Sequence, residues 1–116
     1  MHYLLILNDP PYGTERSYNG LRLANALAKA EGNAISVFLI GDAASCAASG
    51  QVTPNGYYNI ERMLKVLASK GGKIGVCGSC MDARGLNAET LAEGAHRSSM
   101  DELAAWTQEA DRVIVF

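Results

Sequence analysis

The sequence lacks long apolar runs and clusters of like charge, and each absence excludes a class of protein. No stretch approaches the ~20 apolar residues that a membrane-spanning helix needs, so we expect no membrane partner. Its ten basic and twelve acidic residues are scattered singly and leave a net charge of -2. Because there is no basic stripe or patch, we expect no nucleic-acid partner either.

Cysteine and histidine are scarce, and this scarcity limits the chemistry further. The three cysteines cannot all pair, which argues against a structural disulfide framework. A zinc site needs three or four protein ligands. One Cys-x-x-Cys motif with the separate His2 and His96 does not follow any zinc-ligand spacing. The sequence therefore predicts no metal site.

The apolar segment near the N-terminus does not have the features of a signal peptide. Residues 3–7 form a short apolar run with no positively charged segment before it, and Asn8 and Asp9 follow at once. We interpret the run as a buried first strand. We expect a cytoplasmic protein, whose thiols would normally stay reduced.

The sequence does contain short apolar runs that alternate with segments of helical periodicity. Its 116 residues fit one domain. The runs are typical of parallel strands covered on both faces. Four runs are clear and cover residues 3–7, 34–40, 74–77 and 113–116. A weaker run covers residues 95–98. With helices between the strands, this order predicts a single α/β domain over residues 1–116, with a parallel sheet between two helical layers.

Three helices are predicted from their caps and periodicity. Thr14 is a suitable N-cap for a helix that ends near Gly32. Apolar residues at helical spacing over residues 60–68 predict a second helix. Ser99 and Glu102 have the spacing of a capping box, which predicts a last helix that runs to Ala110.

In open parallel sheets, ligands bind beyond the carboxyl ends of the strands. Asp9 and Asp42 follow the first and second strands and could line a pocket or position a proton, or serve only as turn residues. Tyr12 and Gly13 open the first helix, where backbone amides could hold an anion. This segment lacks the lysine and the glycine spacing of a phosphate-binding loop, so we expect no nucleotide cofactor.

The third strand ends in Cys77-Gly78-Ser79-Cys80, the segment richest in chemistry. Ser79 is the predicted N-cap of a short helix with Asp82 in its first turn, so Cys77 precedes the helix and Cys80 lies within it. Backbone N–H groups there favour a thiolate and lower its pKa. Arg84 follows at the same end, whereas Asp82 would oppose the thiolate if it pointed inward. Alternatively, both cysteines are small buried apolar residues.

Three chemistries are candidates for such a segment. A thioredoxin-like dithiol shares the spacing, but none of the prolines precedes a late strand, as the cis-proline of that fold does. Zinc lacks enough ligands, as noted above. The third is a nucleophilic cysteine that carries a sulfur atom as a persulfide.

The sequence resembles the DsrE/DsrF/TusD superfamily of small sulfur-relay proteins, and most closely its YchN-like branch. The resemblance covers the whole chain, and two of its segments are specific to the family. The matching segments are residues 9–16, 39–43, 58–64, 77–85 and 111–116, of which the first and the fourth are the specific ones.

The resemblance implies a five-stranded parallel sheet in a three-layer α/β/α domain, assembled into homotrimers or homohexamers. It implies that Cys77 is the sulfur-carrying residue, with Arg84 and Gly85 as the Arg-Gly pair that follows it. It also implies donor and acceptor proteins and no cofactor. Cys80 departs from the family pattern, which has a small apolar residue there. Cys80 therefore either resolves a persulfide or disulfide of Cys77 or carries the sulfur itself.

Two other functions stay open: a dithiol redox protein that uses Cys77 and Cys80, and a non-catalytic oligomeric module that binds a small ligand. Cys46 lies among alanines and is expected to be a packed small residue. Neither histidine is assigned a role. Tyr57 and Tyr58, with the loop at residues 50–56, are candidates for a subunit interface or a lid.

Overall fold

A computed structural model describes residues 1–116 of the chain, which form one five-stranded sheet with helices on both sides. All strand pairs are parallel, and the strand order is β4-β3-β2-β1-β5. The strands are β1 (His2–Leu7), β2 (Ala34–Leu39), β3 (Lys73–Cys77), β4 (Ala95–Ser98) and β5 (Arg112–Val115). The α-helices are α1 (Arg16–Leu27), α2 (Ile60–Ser69), α3 (Gly78–Ala83) and α4 (Met100–Glu109). The predicted α/β class and the five predicted strands are confirmed.

The two faces of the sheet bury the side chains of alternate residues along each strand. On one face, α1 and α2 cover a cluster of 17 buried residues that includes Leu5 and Val37. On the other face, Leu103 and Trp106 of α4 cover a smaller cluster that includes Phe38. Alternate residues of a strand point to opposite faces, so strands buried on both faces must be apolar throughout. This requirement explains the continuous apolar runs of the sequence.

The half of the sheet beneath α4 is incompletely covered. Val113 and Val115 of β5 are 42% and 63% exposed. They pair in register with Leu4 and Ile6 of β1, whose side chains belong to the cluster on the α4 face. An edge strand with two exposed valines leaves an apolar strip beside α4.

Two predicted helix starts differ from the structure. The helix predicted from Thr14 begins at Arg16, because the Thr14 hydroxyl donates to the Asp9 carboxylate at 2.9 Å. It ends at Leu27, short of the expected end near Gly32. Ser79 is not an N-cap: α3 begins at Gly78 and takes no side-chain cap.

The last helix begins as predicted, because the Ser99 hydroxyl accepts the Glu102 amide at 3.2 Å. The second half of the capping box does not form. The Glu102 carboxylate instead accepts the Ser98 hydroxyl and contacts His96 Nε2, so His96 has a partner that the sequence did not indicate. None of the helices combines the length and apolar character that crossing a membrane would require.

Candidate functional site

Cys77 and Cys80 lie one helical turn apart at the carboxyl end of β3, a strand flanked by β2 and β4. Cys77 is the last residue of β3 and pairs with Ser98 of β4, while Cys80 is the third residue of α3. Both thiols are free, and each one shifts the pKa of the other. Cys77 is 8% exposed and Cys80 is half-buried, so neither sulfur is sealed inside the core.

The surroundings of Cys77 favour its thiolate. Burial disfavours the charge, but hydrogen bonds from the Cys80 thiol, the Ser79 hydroxyl and the backbone amides of both residues outweigh it. The net effect lowers the pKa of Cys77 below its ordinary value. The Ser79 hydroxyl, inside the first turn of α3, lies 3.4 Å from Cys77 Sγ. The arrangement gives Cys77 the character of a nucleophile.

Cys80 is held in a different way. Its sulfur accepts the Gly41 backbone amide at 3.1 Å, a contact that joins α3 to the segment after β2. Burial, the hydrogen bond to Cys77 and the nearby Cys77 charge raise the pKa of Cys80, while the Gly41 amide and the Arg84 guanidinium partly offset this. Of the two thiols, Cys77 is therefore the one that ionises first.

Arg84 and Asp42 belong to the same site. Arg84 Nη2 donates to the Asp42 carboxylate at 2.6 Å, and Nη1 donates to the Cys80 carbonyl at 3.0 Å. These two contacts fix the guanidinium next to the sulfur of Cys80, where its charge favours the thiolate. Asp42 therefore reaches the cysteines through Arg84, and its own carboxylate contacts neither thiol.

Arg97 is a residue of this site that the sequence did not single out. Its guanidinium forms a two-point bond with the Asp82 carboxylate, at 2.7 Å and 3.0 Å. Gly78 leaves the space for this, because a Cβ atom at residue 78 would lie 2.9 Å from Arg97 Cζ. Asp82 is therefore paired on the surface and does not oppose the thiolate. One feature of the sequence could have identified Arg97: it lies next to the end of the weak fourth strand, at the edge of the sheet where ligands bind.

Asp9, Tyr12 and Gly13 lie at the same edge of the sheet but contact neither Cys77 nor Cys80. The Asp9 carboxylate binds the Thr14 hydroxyl and lies 3.8 Å from Arg16 Nε, an arrangement typical of turn residues. Gly13 has a φ of 100°, which serves the turn before α1.

Tyr12 belongs to a separate surface depression of about 500 Å³. Its hydroxyl donates to Gln51 at 2.7 Å and accepts the Ile60 amide at 3.1 Å, and its ring stacks on Tyr58. Other residues that line the depression are Glu15, Val52, Pro54 and Tyr57. Neither Cys77 nor Cys80 lines it, and the cysteine pair has no cavity of its own.

Cys46 contrasts with the other two cysteines. It is fully buried, and burial raises its pKa to about 12. The expectation that it is a packed small residue is confirmed. No group of three or more His, Cys, Asp or Glu side chains is arranged to hold a metal ion.

The model of the DsrE/DsrF-like family matches residues 1–116 of this chain. The protein YchN of Escherichia coli K12 is 38% identical over 114 residues, which cover 97% of each chain. An uncharacterized protein of Methanocaldococcus jannaschii is 37% identical over the full length of both chains.

Solved structures give the same picture. The crystal structure of the Escherichia coli YchN protein superimposes with a TM-score of 0.90 at 36% sequence identity and covers all of both chains. A protein of unknown function from Methanobacterium thermoautotrophicum superimposes with a TM-score of 0.76 at 15% identity, over 99% of this chain and 98% of that one. The second match concerns the fold alone.

Proposed function

Because this chain belongs to the DsrE/DsrF-like family, we propose that it carries sulfur as a persulfide on Cys77, between a donor and an acceptor protein in the cytoplasm. One observation carries the proposal. Cys77 ends β3 directly before α3 with its Sγ 3.4 Å from the Ser79 hydroxyl, and its pKa is lowered although it is largely buried.

The transfer is a thiol–persulfide exchange. The Cys77 thiolate attacks the terminal sulfur of a donor persulfide, R–S–SH. A bond forms between Cys77 Sγ and that sulfur, the donor S–S bond breaks, and its electron pair leaves with the donor thiolate. An acceptor thiolate then attacks the terminal sulfur of the Cys77 persulfide and restores the Cys77 thiolate. The sulfur keeps its oxidation state throughout, so no redox cofactor is needed.

The site suits such a substrate. The transferred group is a single sulfur atom attached to a partner, so the site needs no cavity to enclose a substrate. Arg84, held by Asp42, and Arg97, held by Asp82, place two guanidinium groups near the cysteine pair. The charge of Arg97 favours an anion on Cys77, whereas that of Arg84 acts mainly on Cys80. Each is paired with a carboxylate, which keeps it in place between rounds of transfer.

The test is sulfur loading followed by intact mass measurement. The reduced protein is incubated with glutathione persulfide, and we expect the Cys80→Ser variant to gain the mass of one sulfur atom. A Cys77→Ser variant should gain none. Cys46→Ala is the matched control, since it removes a thiol that is sealed in the core, and it should load like the parent. If Cys80→Ser takes up no sulfur, the proposed function is wrong.

A dithiol redox function is the second candidate, because the two free thiols of the Cys-x-x-Cys segment lie at the end of β3 and in the first turn of α3. Equilibration with mixtures of reduced and oxidised glutathione tests it through the fraction of protein with a Cys77–Cys80 disulfide. A pair that forms no disulfide even in the most oxidising mixture would exclude this function.

We also propose that the chain forms a homotrimer or homohexamer through the apolar strip at Val113 and Val115. The strip is exposed in the single chain and lies on the edge strand of the sheet, where a further chain could cover it. A Val115→Lys variant should then elute as a smaller species in size-exclusion chromatography with light scattering. An unchanged molar mass would show that this strip is not the interface.

A further inference from the structure

Cys80 has more contacts than a small packing residue requires. Its sulfur accepts the Gly41 amide at 3.1 Å, its carbonyl accepts Arg84 Nη1 at 3.0 Å, and it lies one turn after Cys77. The carrier chemistry proposed above needs only Cys77. A second thiol one turn from the carrying residue, with a backbone donor and a cation beside it, therefore calls for a role of its own.

The position of Cys80 permits a disulfide with Cys77. Cys77 is the residue that precedes α3 and Cys80 lies in its first turn, and modest side-chain and backbone adjustment brings two cysteines at this spacing to bonding geometry. Both thiols are free in this structure, and each shifts the pKa of the other. The Gly41 amide and Arg84 are the groups that would support a negative charge on Cys80 as it attacks.

We propose that Cys80 resolves the Cys77 persulfide and releases its outer sulfur as sulfide when no acceptor thiol is present, an inference that rests on the proposed carrier function. The Cys80 thiolate attacks Cys77 Sγ, and a Cys77–Cys80 disulfide forms. The S–S bond of the persulfide breaks, and its electron pair leaves with the outer sulfur as HS⁻.

The electrons and atoms of this step balance. The outer sulfur is reduced to sulfide by two electrons, which come from the two cysteine sulfurs as they become a disulfide. The proton of the Cys80 thiol leaves to solvent, and no external oxidant takes part. A second turnover needs a dithiol reductant that returns the disulfide to two thiols. The chain thereby acts as a persulfide reductase at the same site.

The experiment loads the full chain with glutathione persulfide in the absence of reductant and removes the excess. Released sulfide and intact mass are then followed with time. We expect the parent protein to release one sulfide per chain and to end lighter than the reduced protein by two hydrogen atoms. Cys80→Ser should keep the added sulfur and release none. Addition of a dithiol should restore the reduced mass of the parent.

Other results would overturn the inference or its premise separately. If Cys80→Ser takes up no sulfur, the carrier function itself fails. If Cys80→Ser loads but the parent keeps its persulfide as long as the variant does, Cys80 is not a resolving group. If peptide mapping of the parent finds the added sulfur on Cys80, the sulfur moves to Cys80 and is not released. Should the serine variant fold poorly, Cys80→Ala and the mapping of the parent decide the matter.

Discussion

The cysteine pair and the tyrosine depression lie at the same edge of the sheet but have opposite properties. The pair has a reactive sulfur, flanking guanidinium groups and no cavity. The depression has about 500 Å³ of space, aromatic walls and no nucleophile. Of the two, only the depression offers space for a ligand. Thiol exchange needs an accessible sulfur more than an enclosed volume, so electrostatics is the better guide in this molecule.

The largest expected difference is in thiol reactivity, between Cys77 and Cys46. With a pKa of about 12, only ~10⁻⁵ of Cys46 is thiolate at neutral pH, and burial shields it further. Native alkylation with iodoacetamide should therefore label Cys77 and leave Cys46 unlabelled. The rate at Cys77 should rise with pH and level off, with a midpoint below 9.0, since its pKa is lowered. Peptide mapping measures both.

A Cys80→Ser variant is the control for that measurement. It removes the thiol hydrogen bond to Cys77 but leaves the Ser79 hydroxyl and the two amides in place. A serine hydroxyl still donates, so the midpoint should move little. Labelling of Cys46 at a rate similar to Cys77 would contradict the distinction between the two environments.

The next largest effect concerns Arg84, which acts through Cys80. Arg84→Gln removes the cation beside Cys80 and both of its anchoring contacts. Sulfide release after loading should slow by roughly fivefold or less, the size expected for one partly exposed charge. Loading of Cys77 should be nearly unchanged, and Arg84→Lys should restore part of the rate. A variant that loads poorly and releases at the normal rate would assign Arg84 to the first step instead.

The sequence was sufficient for the parts of the fold that follow from periodicity. The five strands lie where their short runs predicted them, and their bounds differ from the predictions by at most one residue at either end. The Ser99 cap also followed from local chemistry, because donor and acceptor are three residues apart. Local patterns were enough wherever the contact itself is local.

The site was predictable only in part, because its contacts join distant segments. The Gly41 amide reaches Cys80 across 39 residues, and Asp42 reaches Arg84 across 42 residues. No local pattern encodes such pairs; they depend on how β2 and β3 are aligned in the sheet. The same reason explains Arg97, which meets Asp82 only because β4 pairs with β3. The sequence predicts Tyr12 at the same edge of the sheet as the cysteines, but its hydroxyl contacts α2 instead.

The depression should matter for stability and not for thiol chemistry. Tyr12→Phe removes a hydroxyl that accepts the Ile60 amide and donates to Gln51. Leaving the amide of Ile60 without a partner should lower the free energy of unfolding by about 1–3 kcal/mol. Urea unfolding measures this, and the alkylation rate of Cys77 should stay unchanged. Tyr58→Phe keeps both bonds and is the matched control; a changed thiol rate in Tyr12→Phe alone would link the two regions.

The smallest expected effect concerns Gly78. It tests whether residue 78 must be a glycine to leave space for the Arg97 side chain. Gly78→Ala should displace the Arg97 guanidinium, whose Cζ would lie 2.9 Å from the new methyl group, and slow alkylation of Cys77 roughly twofold. Arg97→Gln removes the same cation without crowding and should slow it equally. If the glycine serves only Arg97, the double variant should be no slower than Arg97→Gln. A double variant that is markedly slower would show that the backbone of the cysteine turn itself has moved.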